Sequence, residues 1–520
     1  MNDAPHPAAG DAPNAPYPWK PLGTYDIVAL TVITLLAAAL VLPKVAWIPC
    51  LDDPGEFQVC AAIGGIGHPP GHAGLVTLMR GLVLISPLAP HVTVSGATAL
   101  FAIAAVSILM LIMLRLGVDP VAASVVTLLF LLDDQFWHAA TVPEVYATCL
   151  IFLAVAVLAF FSWLGDHRFW KLCLAIAAFS YVASNRAPTA LFIIAFIAAV
   201  LINPRARRVV GQLPLPRVLL LVAIALTPPA IVLISLWLRD VPGNPYNYLD
   251  LVYPILPQFP PNNLSAADKL QRLWWLVSAK QFDYMFHPSA RTLRGQSVWL
   301  LSEFGRRYWM FTWPAMIAAL ALVIVGARAI WTRHPPIAAF LVLAIPAAAA
   351  PILLIRVISH TAMLPSLLFP LAILFAAGLS TLMQWHRSTY WSAATLGAIF
   401  LTTWFTRDRA LPSERDRYDA APFVNSLNLP ALPSDAVLLT SFDALAIIYA
   451  QQYLNLRPDI QVLHYHGRLT PEWVRSATRP VFSTVEPPAG LTAKPFPFDT
   501  DARSPSSLVF RIDISSDLLP

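Results

Sequence analysis

Charged residues are scarce in this chain of 520 amino acids. They make up 12% of it, whereas 57% of the residues are hydrophobic, and soluble domains carry about 25% charged residues. Many apolar runs reach the ~20 residues that cross a bilayer core. Backbone polar groups in lipid must be satisfied within the segment, so these runs should be helices. The sequence therefore predicts a polytopic integral membrane protein, since buried core helices would not explain so many runs.

Other features are also missing. The four cysteines, Cys50, Cys60, Cys149 and Cys173, include no pair with zinc-type spacing. Cys50 and Cys60 either form a disulfide, if their loop is external, or remain free thiols. The net charge of +5 gives no reason to expect a nucleic-acid partner, because much of the positive charge falls in short loops, where it sets topology.

No signal-peptide pattern is present. Residues 1–25 are polar and rich in Pro and Ala, and no small-residue cleavage site follows the first apolar run. We expect a disordered cytoplasmic leader there. High Ala, Pro and Arg usage favours the bacterial inner membrane.

About eleven spans are predicted in an all-α transmembrane domain of residues 26–405. They lie near residues 26–47, 93–114, 119–136, 144–164, 171–184, 188–203, 217–238, 309–330, 337–355, 361–383 and 390–405. Alternate loops carry the Arg and Lys residues and are therefore expected to be cytoplasmic. The other loops, 48–92, 133–143 and 239–308, should face the periplasm or exterior, and an odd span count places the C-terminus there too.

Three regions depart from a plain bundle. Asn185–Pro188 breaks the fifth and sixth spans, which form either a helical hairpin or irregular backbone lining a cavity. Ser265-Ala-Ala-Asp268 resembles a capping box, and the segment that follows it, with Arg272 and Trp274, predicts an amphipathic helix lying in the membrane interface. Strand and helix patterns alternate after residue 406, which predicts a small external α/β domain over 406–520.

The first external loop carries the strongest candidate site. Asp52, Asp53 and Glu56 lie within five residues, just after the first span, and ionisable groups at membrane boundaries are functional candidates by default. His68-Pro-Pro-Gly-His72 follows within a dozen residues, and we expect this rigid turn, flanked by two histidines, to hold an imidazole beside the carboxylates. The alternative is a solvated acidic loop followed by an ordinary turn.

Other external loops repeat the theme. Glu144 and Tyr146 open the fourth span, and Asn185 and Arg186 lie between the fifth and sixth. Further polar residues at the same side are Asp133, Asp134, Trp137, His138, Arg306, Arg307, Arg356 and His360. A divalent metal held by Asp52, Asp53, Glu56 and a histidine is an option, although no ligand spacing requires it and no cofactor is otherwise implied.

This grouping suits sugar transfer from a lipid phosphate. A carboxylate can take the proton of an acceptor hydroxyl, and Arg or His can stabilise the departing phosphate. Polyprenyl-phosphate donors keep their head group at the membrane surface, where these residues gather.

The order of the motifs resembles that of the protein O-mannosyltransferase-like family, formerly a domain of unknown function. The matching residues are Asp53-Pro-Gly-Glu56-Phe57, His68-Pro-Pro-Gly71 and Glu144-Val-Tyr146, and in the tail Leu438–Asp443, Tyr449 and Arg457-Pro-Asp459. That family resembles the glycosyltransferase C superfamily.

The resemblance implies a polytopic fold, a polyprenyl-phosphate sugar donor, mannose as the sugar, and inverting transfer to a hydroxyl of a protein or glycan. By position, Asp53 would be the base, Glu56 would orient the acceptor or share the proton, and His68 would lie near the donor phosphate. Asp52, His72, Glu144, Tyr146, Asn185 and Arg186 complete the predicted substrate-binding set.

Departures from the family pattern concern the acceptor. Pro54 replaces a small polar residue, His72-Ala73 replaces Tyr-Pro, and Ser441-Phe442 replaces Gly-Asp-Asn. A transporter or flippase of lipid-linked sugars is the main alternative, and the break at Asn185–Pro188 favours it. A non-catalytic membrane scaffold is a third reading, but it leaves the acidic loop without a role.

Overall fold

The computed structural model describes residues 19–69, 72–241, 244–252, 264–285, 289–307, 313–355, 363–385, 415–427, 429–440, 444–464, 474–475, 477–485, 491–495 and 509–514. Most of these residues are helical. The α-helices are α1 Thr24–Val41, α2 Asp52–Ile63, α3 Ala73–Ile85, α4 Pro90–Arg115, α5 Pro120–Leu131, α6 Asp134–Thr141, α7 Val145–Asp166, α8 Phe169–Asn185, α9 Ile193–Ile202, α10 Pro204–Gly211, α11 Leu215–Arg239, α12 Tyr248–Val252, α13 Ala266–Val277, α14 Ala290–Arg307, α15 Trp313–Arg333, α16 Pro335–Leu354, α17 Leu364–Trp385, α18 Arg415–Tyr418, α19 Ala421–Ser426 and α20 Ala444–Leu454. Short 3₁₀ helices cover Leu42–Lys44, Ala187–Phe192, Lys280–Met285 and Leu429–Ala431.

The apolar helices make the chain an integral membrane protein. Within the described ranges, six helices are long and apolar enough to cross a bilayer, and up to eight if two bent pairs each count as one span. The six are Thr24–Lys44, α4, α7, α11, α16 and α17. Each of the first ten predicted segments corresponds to a described helix or bent pair. The eleventh, 390–405, lies outside the described residues, as does most of the predicted leader.

One predicted span is bent, and another is followed by a bend. The segment predicted at 119–136 consists of α5 and α6, which meet at 70°, and the segment predicted at 188–203 is followed by a bend of 100° between Ala187–Ile202 and α10. The side-chain carboxylate of Asp133 accepts from the amides of Gln135 and Phe136 at 3.0 and 3.2 Å. Because this cap starts a new helix, the chain turns at Asp133 instead of continuing through it.

The bundle is packed closely where small residues face each other. Gly326 on α15 and Gly378 on α17 lie at a crossing where an added Cβ would overlap the carbonyl oxygen of Leu374 or Leu322. Small residues at such positions let two helix backbones approach in a membrane.

The helix predicted for the membrane interface is present as α13, and its capping box is confirmed. Ser265 Oγ accepts from the amide of Asp268 at 3.2 Å, and Trp274 is exposed. The amphipathic pattern did not indicate that Arg272 is buried. Its side chain is 1% exposed and pairs with Asp240 at 2.8 Å and Asp250 at 2.7 Å, because two carboxylates from preceding elements compensate the buried charge.

The C-terminal region contains the predicted small sheet. Its strands are β1 Val437–Thr440, β2 Gln461–His464, β3 Val481–Ser483, β4 Leu491–Pro495 and β5 Phe510–Ile514, in the order β2-β1-β3-β5-β4. β1 is parallel to β2 and β3, whereas β5 is antiparallel to β3 and β4. The apolar helix α20 connects β1 to β2 and is buried along most of its length.

Hydrogen bonds between described residues attach this region to the bundle. The backbone of Leu51 donates to the Tyr418 carbonyl at 2.8 Å, and Ala420 donates to the Pro49 carbonyl at 3.1 Å. His91 Nδ1 and the Tyr449 hydroxyl are 2.6 Å apart. The first contact lies directly before Asp52, so the C-terminal region borders the predicted site.

Candidate active site

Helix α2 positions the acidic motif because its first turn packs against its own preceding loop. Gln58 Oε1 accepts from the Cys50 amide at 2.8 Å, and its Nε2 donates to the Ile48 carbonyl at 3.0 Å. At Gly55 a Cβ would overlap the Cys50 carbonyl. Asp53 and Glu56 are three residues apart and therefore neighbours on one helix face.

The chain after α2 returns over this face. Gly64 ends the helix in the left-handed region at φ 77°, which glycine adopts readily. Ile66 then pairs with a distant segment, since its amide donates to the Tyr246 carbonyl and its carbonyl accepts from the Tyr248 amide, both at 3.0 Å. This pairing holds His68 above Glu56.

Three donors converge on the Glu56 carboxylate, which is fully buried. Oε1 accepts from the His68 amide at 2.9 Å and from the Tyr246 hydroxyl at 2.7 Å. Oε2 faces Nδ1 of His68 in a direct ion pair. Glu56 therefore faces into the protein and supports its neighbours rather than meeting an acceptor from solvent.

His68 is charged at neutral pH. Burial alone would lower its pKa, but the charge and hydrogen bond of Glu56, with further carboxylates at Asp53 and Glu144, raise the pKa of His68 to about 9. Opposite charge next to a titratable group favours its charged form.

Asp53 is the accessible carboxylate of the group. Its side chain is 53% exposed, and its Oδ1 lies 3.8 Å from Nδ1 of His68. Partial removal of water by the surrounding protein is the largest effect and raises the pKa of Asp53. The positive charge of His68 lowers this pKa, whereas the negative charges of Glu56, Glu144 and Asp52 raise it, and the resulting pKa is about 6. A carboxyl group with such a pKa is ionised at pH 7 yet basic enough to accept a proton.

The spacing of Asp53, Glu56 and His68 would also suit a cation, since one ligand atom from each lies within 4.8 Å of the others. However, both Glu56 oxygens already accept hydrogen bonds, and Nδ1 of His68 provides one of them. The arrangement is thus that of a hydrogen-bonded ion pair beside an ionised acid. Asp52, which we predicted to bind substrate and considered as an optional metal ligand, is exposed at the rim.

His72 and Asn185 meet at the start of α3. His72 is the N-cap, with φ 37°, and its ring centroid is 5.7 Å from that of His68. Asn185 Oδ1 accepts from the Leu75 amide at 2.9 Å. Burial, with His68 and Arg186 nearby, lowers the pKa of His72 to about 3, so it is neutral. Asn185 therefore caps the helix that carries His72.

Arg186 lies beside an apolar recess. Its guanidinium carbon is 4.7 Å from the centre of the Tyr146 ring, and its side chain is mostly buried. The recess is shallow and is lined by Arg186, Pro188, Thr189, Phe192, Ala348, Pro351, Met363 and Ser366. It presents one cation next to hydrocarbon walls.

Glu144 and His138 connect the site to the C-terminal region. Glu144 Oε1 is 3.1 Å from Nε2 of His138, whose ring lies 5.8 Å from that of Tyr418. Glu144 acts on the site by its charge, which raises the pKa values of both Asp53 and His68.

The structure thus brings Asp53, Glu56, His68 and His72 into one group, with Asn185 at its edge. Tyr246 and Tyr248 belong to this group as well, and the sequence analysis missed them, because nothing in the spacing of loop 239–308 relates it to α2.

Cys50 and Cys60 are free thiols, which was one of the two alternatives predicted from the sequence. Several predicted residues lie outside the described part of the chain: Pro70, Gly71, Arg356, His360 and Ser441–Asp443.

Comparison with known proteins identifies the architecture. No protein-family model and no curated protein matches the chain. The crystal structure of ArnT from Cupriavidus metallidurans bound to undecaprenyl phosphate aligns with a TM-score of 0.54 and 11% identity, over 96% of this chain and 100% of that one. The fold is similar to that of ArnT. The expected glycosyltransferase C-like fold is therefore confirmed.

A second solved structure matches at a lower level. It is the archaeal oligosaccharyltransferase AglB from Archaeoglobus fulgidus, in complex with an inhibitory peptide and a dolichol-phosphate. The TM-score is 0.47 and the identity 10%, over 89% of this chain and 69% of that one.

Proposed function

We propose that this protein is a membrane glycosyltransferase that moves a sugar from a polyprenyl-phosphate carrier to a hydroxyl acceptor, with inversion at the sugar carbon. One observation carries the proposal: Asp53 is an accessible carboxylate held beside the buried Glu56–His68 pair, with its Oδ1 3.8 Å from Nδ1 of His68. The similarity of the fold to ArnT, whose structure holds undecaprenyl phosphate, supports the lipid carrier.

Asp53 is the base in this proposal. The acceptor hydroxyl approaches the exposed side of the carboxylate and gives it a proton as the oxygen bonds to the anomeric carbon. The bond from that carbon to the phosphate oxygen breaks at the same time, and the electron pair leaves on the carrier phosphate. A positioned base contributes about 10²–10⁴-fold in rate.

Positive charge stabilises the leaving phosphate. Arg186 and protonated His68 are the cations near the group, and Arg pairs well with phosphate oxygens. The walls of the Arg186 recess, including Phe192 and Met363, suit the first isoprene units of the carrier, because apolar lining with a few polar groups is typical of ligand pockets.

Sidedness and substrates follow from the sequence pattern. The positive-inside distribution favours a site that faces the periplasm of a bacterial inner membrane, with the C-terminal region on the same side. The O-mannosyltransferase-like motifs favour mannose, and the acceptor is a hydroxyl of an exported protein or glycan.

A transporter of the same lipid-linked sugar is the second candidate. The 3₁₀ segment Ala187–Phe192 and the 100° bend before α10 favour it, because transporters use broken helices at their binding sites. However, Asn185, which directly precedes this irregular backbone, caps α3. The break in the helix therefore has a structural explanation that needs no transported substrate, and this weakens the transporter hypothesis.

The two functions differ in whether a bond is broken. Purified protein in liposomes would receive polyprenyl-phosphate mannose labelled in the sugar, together with a Ser/Thr-rich acceptor peptide. A transferase releases free polyprenyl phosphate and labels the peptide, and omission of the peptide reduces the release. Movement of intact donor across the bilayer without cleavage would instead establish the transporter.

A further inference from the structure

We infer that the end of the bundle opposite the candidate active site binds the head groups of anionic phospholipids through helix α10 and the chain segments beside it. The cations of this basic surface are Arg168, Lys171, Arg205, Arg207, Arg208 and Arg217. The inference does not depend on the proposed function, because neither Asp53 nor Arg186 lies at this end of the bundle.

The length of α7 separates the basic surface from the candidate active site. α7 begins directly after Glu144 and ends at Asp166, and its 22 residues extend over about 33 Å. α8 then returns to Asn185, which caps α3 at the site, and α9 leads away from that point again to α10. The turn between α7 and α8 and the chain from α10 to the start of α11 therefore lie on the other side of the membrane.

Helix α10 lies along the membrane surface instead of crossing it. The chain bends by 100° before it, and Asn203 caps its first turn, since Asn203 Oδ1 accepts from the Ala206 amide at 3.1 Å. Ala206 is buried, and Val209, three residues later on the same face, packs against the bundle core. Arg207 and Arg208 are exposed, so α10 has the apolar and basic faces of an interfacial helix.

Contacts between described residues join the neighbouring segments to α10. The guanidinium carbon of Arg217, in the first turn of α11, is 5.2 Å from the centre of the Phe169 ring at the start of α8. Burial and the charge of Arg205 lower the pKa of His167, against the effect of Asp166, so Arg205 on α10 lies close to the turn between α7 and α8. Cations from the α7–α8 turn, α10 and α11 therefore share one surface.

Negative charge is almost absent from this part of the sequence. Asp166 is the only Asp or Glu between residues 145 and 239, and it pairs with Lys171 at 2.6 Å and with Arg168 at 3.3 Å. The basic surface thus has six cations and one carboxylate. Like charges held close together repel each other, and bound anions would remove this repulsion.

A phospholipid fits this surface better than a soluble anion does, because apolar side chains are exposed beside the cations. Trp170 is 57% exposed, and the ammonium group of Lys171 is 5.6 Å from the centre of a Trp170 ring. Val210 on α10 and Leu215 on α11 are exposed as well. Tryptophan favours the depth of the lipid head groups, and basic residues next to spanning helices attract anionic lipids. A soluble anion would leave the apolar side chains in water, whereas a phospholipid covers both kinds of group.

The test uses Trp170 as a local reporter of the lipid next to the surface. Purified protein in phosphatidylcholine bilayers receives increasing fractions of phosphatidylglycerol or phosphatidylcholine brominated near the head group. The quenching of Trp170 fluorescence is the difference between proteins with and without Trp170→Phe. Brominated phosphatidylglycerol should quench Trp170 at a much lower fraction than brominated phosphatidylcholine does.

The double variant Arg207→Gln/Arg208→Gln should reduce this preference. One arginine near an anionic surface contributes about fivefold in affinity, so the loss of two should lower the relative affinity for phosphatidylglycerol about 25-fold. Arg475→Gln/Arg511→Gln is the matched control, because it removes the same charge from exposed positions in the C-terminal region, and it should leave the quenching unchanged.

Three results would overturn the inference. Equal quenching of wild-type Trp170 by both brominated lipids would mean that the arginines set topology only, and this measurement needs no arginine variant, so it decides even if the double substitution prevents folding. An equal loss of preference in both double variants would reduce the effect to net charge. Displacement of phosphatidylglycerol by inorganic phosphate at constant ionic strength would assign the surface to a soluble ligand.

Discussion

The pH dependence of transfer follows directly from the two titrating groups of the site. In the proposed reaction Asp53 accepts the proton and must be ionised, so the rate should rise as pH increases through its pKa of about 6. His68 must be protonated, so the rate falls as pH increases through its pKa of about 9. The predicted profile is a bell centred near pH 7.5.

The magnitude can be worked out at three points. At about pH 7.5 both groups are more than about 95% in the working form, whereas at about pH 5 only about one-tenth of Asp53 is ionised, and at about pH 10 only about one-tenth of His68 is protonated. The rate should therefore fall about 10-fold at each extreme. A sugar phosphodiester donor does not titrate in this range, so both limbs report the protein.

The assay measures release of polyprenyl phosphate at low donor concentration, where the profile reports the free enzyme. Samples held at each pH and returned to pH 7.5 should regain full activity, which excludes unfolding as the cause. A rate that stays constant from pH 5 to pH 7, or loss of activity with EDTA that added divalent metal restores, would refute the reasoning.

Three further predictions concern the donor site and the packing. Arg186→Lys should raise KM for the donor about 10-fold with a smaller change in kcat, because lysine cannot make the planar, bidentate contact with phosphate that arginine makes. An unchanged KM would show that Arg186 does not bind the donor. Arg272→Ala should lower the free energy of unfolding by about 3–5 kcal/mol, because Asp240 would remain buried without its ion-pair partner. Thermal unfolding in detergent measures this free energy, and a decrease of less than about 1 kcal/mol would contradict the proposed importance of the ion pair. Gly326→Val should destabilise by at least about 1–3 kcal/mol because its side chain would overlap the Leu374 carbonyl, whereas Gly211→Val, at an open position, is the matched control.

Local patterns account for most of the correct sequence-based predictions. Hydrophobic runs located the apolar helices, and the capping box at Ser265 predicted the start of α13. Both signals depend on residues a few positions apart. The bends could not be predicted from hydropathy alone, because Asp133 redirects the chain through two hydrogen bonds that add almost nothing to the apolar pattern.

Long-range pairing explains what was missed. The burial of Arg272 could not be predicted from its own helix, because only the approach of Asp240 and Asp250 makes that burial favourable. Tyr246 likewise contacts Glu56 only because the segment that carries Tyr246 pairs with Ile66. The carboxylates of α2 were visible as a motif, but the difference between buried Glu56 and exposed Asp53 depends on this folded loop.

Turnover of Asp53→Asn is the most direct test of the account. The substitution keeps the size of a side chain that is half exposed, so folding and membrane insertion should remain intact. Exposed Asp134 provides the control Asp134→Asn. With labelled polyprenyl-phosphate sugar and acceptor, the account predicts a loss of about 10²–10⁴-fold in Asp53→Asn and wild-type turnover in the control. Wild-type turnover in Asp53→Asn would contradict it.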